Sequence, residues 1–142
     1  MKLSDRVLPL FVVGVLFLGF GTVAVRWIWP GSAADTGVAL PKFSTLAARG
    51  KIAFDANCAQ CHGRNATGTE KGPPFINRIY NPGHHGDEAF FLAARQGVPQ
   101  HHWPFGNMPP QPQVTDEELA AIVRYVRELQ EANGIFYQPH TM

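Results

Sequence analysis

The hydrophobic pattern divides the chain into an unbroken apolar run, a stretch without period, and a region of helical periodicity. From Leu8 to Val25, 18 residues carry no charge and are rich in Leu, Val and Phe. At ~1.5 Å per residue such a helix spans roughly 27 Å, close to the hydrocarbon thickness of a bilayer. Pro30 to Pro41 holds Gly, Ser, Ala, Asp and Thr with no hydrophobic period and reads as a linker, or as a loop laid on the following domain. From Ser44 onward the pattern is helical. Ser44 is a candidate N-cap for a helix through Leu46, Gly50, Ala53 and Phe54, ending near Asn57. Gly50 and Phe54 lie four apart, on one face, where a glycine admits another backbone. A second helix is expected with Asp87 as N-cap, Ala89, Phe90, Leu92 and Ala93 within it, and Gly97 as its stop. The last opens on Thr115-Asp116-Glu117-Glu118, a capping box with acidic residues at the positive end of the helix dipole. Leu119, Ile122, Val123, Val126 and Leu129 form its apolar stripe, Tyr125 stands beside Ile122, and Asn133-Gly134 closes it.

Between these helices lie Gly63–Gly86 and Val98–Val114, dense in Pro and Gly. Loops beyond about 12–15 residues are uncommon in a small domain unless something wraps them together. The chain is long enough for one domain, and its formal charge of +1 offers no polyanion-binding signature. Charge is nevertheless uneven. Lys2, Arg6 and Arg26 stand against Asp5 in residues 1–29, which leaves nine basic and ten acidic residues in 30–142. No basic residue follows Arg26 until Lys42, so the positive-inside rule puts the N-terminus in the cytoplasm and the rest outside. Trp27 and Trp29 fall where an aromatic belt belongs. A cleaved signal peptide, with Ser32 and Ala34 before the cut, is the competing expectation. Signal h-regions are shorter, at about 7–15 residues, and the two tryptophans make a poor approach to a cleavage site.

The chemistry is concentrated in Cys58-Ala59-Gln60-Cys61-His62. Two thiols two residues apart, followed at once by an imidazole, read as an attachment site for c-type haem. The thiols become thioethers on the porphyrin edge and the histidine reaches the iron. Structural zinc needs four N/S ligands, and the chain has two cysteines in all. A thioredoxin-like pair needs a βαβ setting, and no β-rich run precedes Cys58. A disulfide between Cys58 and Cys61 would close too small a loop to stabilise much. A haem, by contrast, accounts for the long loops, because it supplies the apolar surface they wrap. The iron's second axial ligand should be soft or imidazole-like. Met108, in Gly106-Asn107-Met108-Pro109-Pro110, is the methionine away from the termini, and His84, His85, His101 and His102 compete with it or form a separate metal site.

From Ser44 to Gly134 the chain resembles a class I, mitochondrial-like c-type cytochrome. Gly50 and Phe54 match the glycine and aromatic of that family's first helix. Cys58, Cys61 and His62 match its haem motif, Gly72-Pro73 its Gly-Pro segment, Met108 its ligand loop, and Ile122 and Tyr125 its last helix. The resemblance implies an all-α fold with three or more helices and loops around one haem c. It implies thioether bonds at Cys58 and Cys61 and iron ligation by His62 and Met108. It also implies that the Pro73 carbonyl accepts the other ring N–H of His62. Trp103 and Tyr80 are candidates for the propionate side. The doubled histidines and Trp103 depart from the family's simplest members.

The expected organisation is a transmembrane anchor over 1–29, a flexible linker over 30–43 and a haem domain over 44–142. The expected role is a membrane-tethered, non-enzymatic carrier moving one electron between membrane donor and acceptor complexes, with the haem domain in the periplasm of a bacterial-type inner membrane. The alternatives are a fixed subunit of a larger membrane oxidoreductase, for which Gly14, Gly19 and Gly21 suit close helix contacts, and a haem protein that binds ligands or reacts with peroxide. No nucleic acid and no small-molecule substrate are expected.

Overall fold

Two helices that cross at a glycine organise the domain. The computed structural model describes residues 37–139; the expected anchor and the linker up to residue 36 lie outside them. Helix α1 is Thr45–Asn57, α2 is the short turn Ala59–His62, α3 is Asp87–Gln96 and α4 is Asp116–Ala132, with 3₁₀ turns at Arg64–Ala66 and Arg78–Tyr80. Among the described residues, β structure is limited to isolated bridges, Thr69 with Gly72 and Val98 with Met108. None of the described helices is long and apolar enough to cross a membrane.

The helix ends follow side-chain chemistry. Ser44 Oγ accepts from Ala47 N at 3.2 Å. Thr115 and Glu118 cap reciprocally, at 3.2 Å from Glu118 N to Thr115 Oγ1 and 2.9 Å from Thr115 N to Glu118 Oε2. This satisfies donors that a helix start leaves orphaned. One expected cap is corrected: Gly86, not Asp87, is the N-cap of α3. Asp87 is the first helical residue, where its carboxylate meets the helix dipole and the guanidinium of Arg127.

Gly50 is buried where α1 meets α4. A Cβ at this position would lie 1.8 Å from the Ala121 carbonyl oxygen and 2.8 Å from Ile122 N, so only glycine permits this crossing. Around it pack Ala47, Phe54, Ile122, Tyr125, Val126 and Leu129, all buried. The Phe54 ring lies 5.3 Å from that of Tyr125, centroid to centroid, and Phe43 adds a ring 5.2 Å from Tyr125 on its other side.

The position of Phe43 corrects the expected boundary of the linker. Val38 and Phe43 pack on the core. Asn133 holds the backbone of Ala39 at both ends, accepting from its N–H and donating to its carbonyl, each at 2.9 Å. Residues 38–43 are therefore part of the domain, because two apolar side chains and a paired backbone outweigh the entropy of leaving the segment free. Sequence pattern missed this because two isolated apolar residues have no period.

Candidate functional site

Helix α1 delivers the cysteine motif, and the turn after it reverses the chain. Cys58 N–H donates to Phe54 O at 2.8 Å and His62 N–H to Cys58 O at 2.9 Å, so the motif continues the helical path with a kink. Asn65 and Ala66 then take left-handed conformations, with φ of 55° and 56°. Such a conformation costs an Ala on the order of 1–2 kcal/mol. It is held by burial of Ala66 and by the bond from Phe75 N–H to its carbonyl at 2.9 Å. The reversal places Phe75 against His62, with ring centroids 4.3 Å apart and planes at 26°.

His62 is buried and oriented. Its Nδ1 lies 3.0 Å from the Pro73 carbonyl oxygen. A carbonyl can only accept, so Nδ1 carries the proton and Nε2 keeps its lone pair. Burial pushes His62 below the ordinary imidazole value, opposed by the Pro73 bond, and the neutral form is the one a metal binds. Cys58 is half-buried and Cys61 exposed, both unbridged. Burial, with Cys61 alongside, pushes the Cys58 thiol up to about 11. A protonated thiol is unsuited to a thiolate metal site and remains available for thioether formation.

These three residues line a cavity of about 500 Å³, within the ~300–1,000 Å³ range of cofactor sites. The same cavity is lined by Phe90 and Leu92 of α3, by Ile122 of α4, and by Met108 and Trp103 from the long loop. Gly97 sets how closely that loop approaches α3. Its φ is +75°, and a Cβ there would lie 2.5 Å from the Met108 carbonyl oxygen. Val98 and Met108 exchange both backbone hydrogen bonds, at 2.9 and 3.0 Å. Met108 therefore stands on a fixed backbone, half-buried.

The residues fit a haem. The lining is mainly apolar, and the two cysteines share a single cavity with His62 and Met108, so that two thiols, an imidazole and a thioether face one apolar space, the donor set that suits a covalently held iron porphyrin. Trp103, whose side chain meets that of Tyr80, lines the same cavity. Residues 47–130 match the family model described as Cytochrome c. The chain belongs to the cytochrome c family. This cytochrome accordingly carries haem c, attached through Cys58 and Cys61, and has a haem-based electron-transfer role. Comparisons with curated proteins and with solved structures returned no significant match.

Several residues that build the site carry no motif. Arg127, on the polar-looking side of the α4 pattern, is buried and holds four partners. Nε donates to Asp87 Oδ1 at 2.7 Å, Nη1 to Tyr80 O at 2.8 Å and to Gln130 Oε1 at 2.7 Å, and Nη2 to His85 O at 2.6 Å. Its guanidinium also lies 5.0 Å from the centroid of Phe90, a cation–π contact. Gln130, fully buried, donates to Phe75 O at 2.9 Å and Tyr80 O at 3.0 Å. Together they fasten the 63–86 loop to α4. Arg127→Ala is expected to lower unfolding free energy by about 2–4 kcal/mol, since it strands buried carbonyls as well as removing the ion pair. Denaturant unfolding of the holoprotein measures this. Lys should restore only part of it, lacking the planar fork that reaches four partners.

The histidines outside the motif converge. His84 and His85 come from the turn before α3 and His101 and His102 from the 98–114 loop, and ring centroids of His85 and His102 are 5.4 Å apart. Burial pushes His85 below the ordinary imidazole value, and His84, His102 and His101 add to the shift.

Proposed function

We propose that this cytochrome is a membrane-tethered, single-haem electron carrier whose iron is held by His62 and Met108. The observation that carries this reading is that His62, pinned through Nδ1, shares one apolar cavity with the backbone-fixed Met108. Bound haem supplies a one-electron Fe(III)/Fe(II) couple. The protein's part is to hold and tune it. Pro73 accepts the His62 N–H and so fixes the ring and raises its basicity. Phe75 stacks on a face of the imidazole, Met108 contributes a thioether that raises the potential relative to other axial sets, and Trp103 offers a donor to a propionate. Two protein ligands leave no coordination position for a small molecule, which favours a carrier over a ligand-binding or peroxidatic protein.

The tether rests on the uncharged run Leu8–Val25 and on the basic residues before it. It assigns the N-terminus to the cytoplasm and the haem domain to the periplasm. Anchoring raises the effective concentration of carrier at membrane donor and acceptor complexes, so a weak interface suffices. An optical and redox titration of the full-length chain, extracted from membranes and weighed by mass spectrometry, tests the reading. Expected are retention of residues 1–29, one haem per chain, and a reduced form that does not bind carbon monoxide at neutral pH. Ready carbon monoxide binding would sink the carrier reading in favour of an open-site haem protein. Stoichiometric co-purification with a large oxidoreductase would make it a fixed subunit.

A further inference from the structure

The proposed ligation by His62 and Met108 leaves the four loop histidines without a role, yet they are arranged. His84 Nε2 and His102 Nε2 are 3.4 Å apart. Two nitrogens bound tetrahedrally to one zinc ion at ~2.0–2.1 Å are separated by about 3.3–3.4 Å. Ligand atoms of His84, His85 and His102 all lie within 4.8 Å of one another.

The set is also braced. His85 Nδ1 lies 2.7 Å from Ile79 O; the carbonyl can only accept, so Nδ1 is protonated and Nε2 bears the lone pair. This is the outer hydrogen bond that metal-binding histidines ordinarily make. The His84 and His85 N–H groups both donate to Asn81 O, at 3.0 and 2.9 Å. The His85 carbonyl is held by Arg127.

We propose that His84, His85 and His102 form a second metal site, at the rim of the haem cavity, for a divalent cation of the zinc and copper class. All three donors are imidazole nitrogens, which suit zinc, copper and nickel rather than magnesium or calcium. His84 and His85 are half-buried and His102 exposed, so the site is open to exchange and leaves a fourth position to water. His101 is outside the set. Its ligand nitrogens do not converge with those of the other three, although its ring packs 4.4 Å from that of His102. A metal here ties the 63–86 loop to the 98–114 loop. Because His85 and His102 line the haem cavity, the cation's charge also favours the electron on the haem.

The test uses untagged, full-length holoprotein stripped with a chelator and titrated with zinc. Expected are one zinc per haem, a zinc-edge X-ray absorption spectrum with three nitrogen neighbours at ~2.0–2.1 Å, and a rise in haem midpoint potential on zinc addition. His102→Ala and His84→Ala should each weaken binding by about 100-fold or more, since loss of an outer-shell partner alone costs 10–100-fold. His101→Ala should leave it within about 3-fold, below that range. Haem absorption and the methionine–iron band, unchanged in each variant, separate loss of the site from loss of the fold or of Met108. The absorption spectrum needs no variant. Wild-type affinity in both His84→Ala and His102→Ala, or fewer than three imidazoles on the bound zinc, overturns the proposal.

Discussion

Gly50→Ala is expected to cost about 3–5 kcal/mol of unfolding free energy, at the upper end of what a single substitution does. The added methyl would sit 1.8 Å from the Ala121 oxygen and 2.3 Å from its carbonyl carbon. Both are backbone atoms of α4, so no rotamer change relieves the clash and the helices must separate. Phe54, Tyr125 and Ile122 lose contacts as they part, and the cavity wall that Ile122 contributes moves with α4. Chemical unfolding of the holoprotein, followed by circular dichroism and by haem absorption, measures the loss. Gly106→Ala is the control. Gly106 has φ of +85° and nothing within 4 Å of an added Cβ, so only the left-handed penalty of about 1–2 kcal/mol applies. Equal losses at the two positions would show that the helix crossing is not what constrains residue 50.

Met108→Ala should abolish the weak near-infrared band of methionine bound to Fe(III) and lower the midpoint potential while haem remains attached. Axial ligands set potential over a range of about 0.8 V, and a fall of at least about 0.1 V is expected here. The substitution discriminates well because Met108 is held by its backbone. Its N–H and carbonyl are both paired with Val98, so truncating the side chain removes the sulfur without releasing the loop. Absence of the band from the wild-type protein, with a potential that Met108→Ala leaves unchanged, would assign the iron to another ligand. His101 and His102, which line the same cavity, would then be the residues to replace next.

Much of the domain could be read from local chemistry. The caps at Ser44 and Thr115, the stop at Gly97 and the α4 stripe depend on residues within a turn of one another, and each lies where local chemistry requires, Gly97 through the positive φ that glycine tolerates. Asp87 was misplaced by one residue because a carboxylate is equally at home as a cap and in the first helical turn. Val38 and Phe43 were assigned to a linker because their partners, Tyr125 and the residues around it, lie some 80 residues away in sequence. Arg127 and Gln130 were passed over for the same reason. On a helical wheel they are polar residues of an amphipathic helix, and only the loop carbonyls of Phe75, Tyr80 and His85 make them interior ones.

The sequence by itself determined the attachment chemistry, since two thiols and an imidazole at that spacing suffice, and it determined the helices, since period and capping are local. It also held the physical case for a bilayer-spanning segment ahead of Pro30. The contact from His62 to Pro73 followed from the family resemblance and the structure shows it; tertiary structure alone decided that Met108 stands on a backbone fixed against Val98 and that His84, His85 and His102 meet. Each of these joins residues that lie ten or more positions apart in sequence. Loops carry no periodicity, and the 63–86 loop takes its place from the carbonyls that Arg127 and Gln130 reach, on a helix whose crossing Gly50 allows.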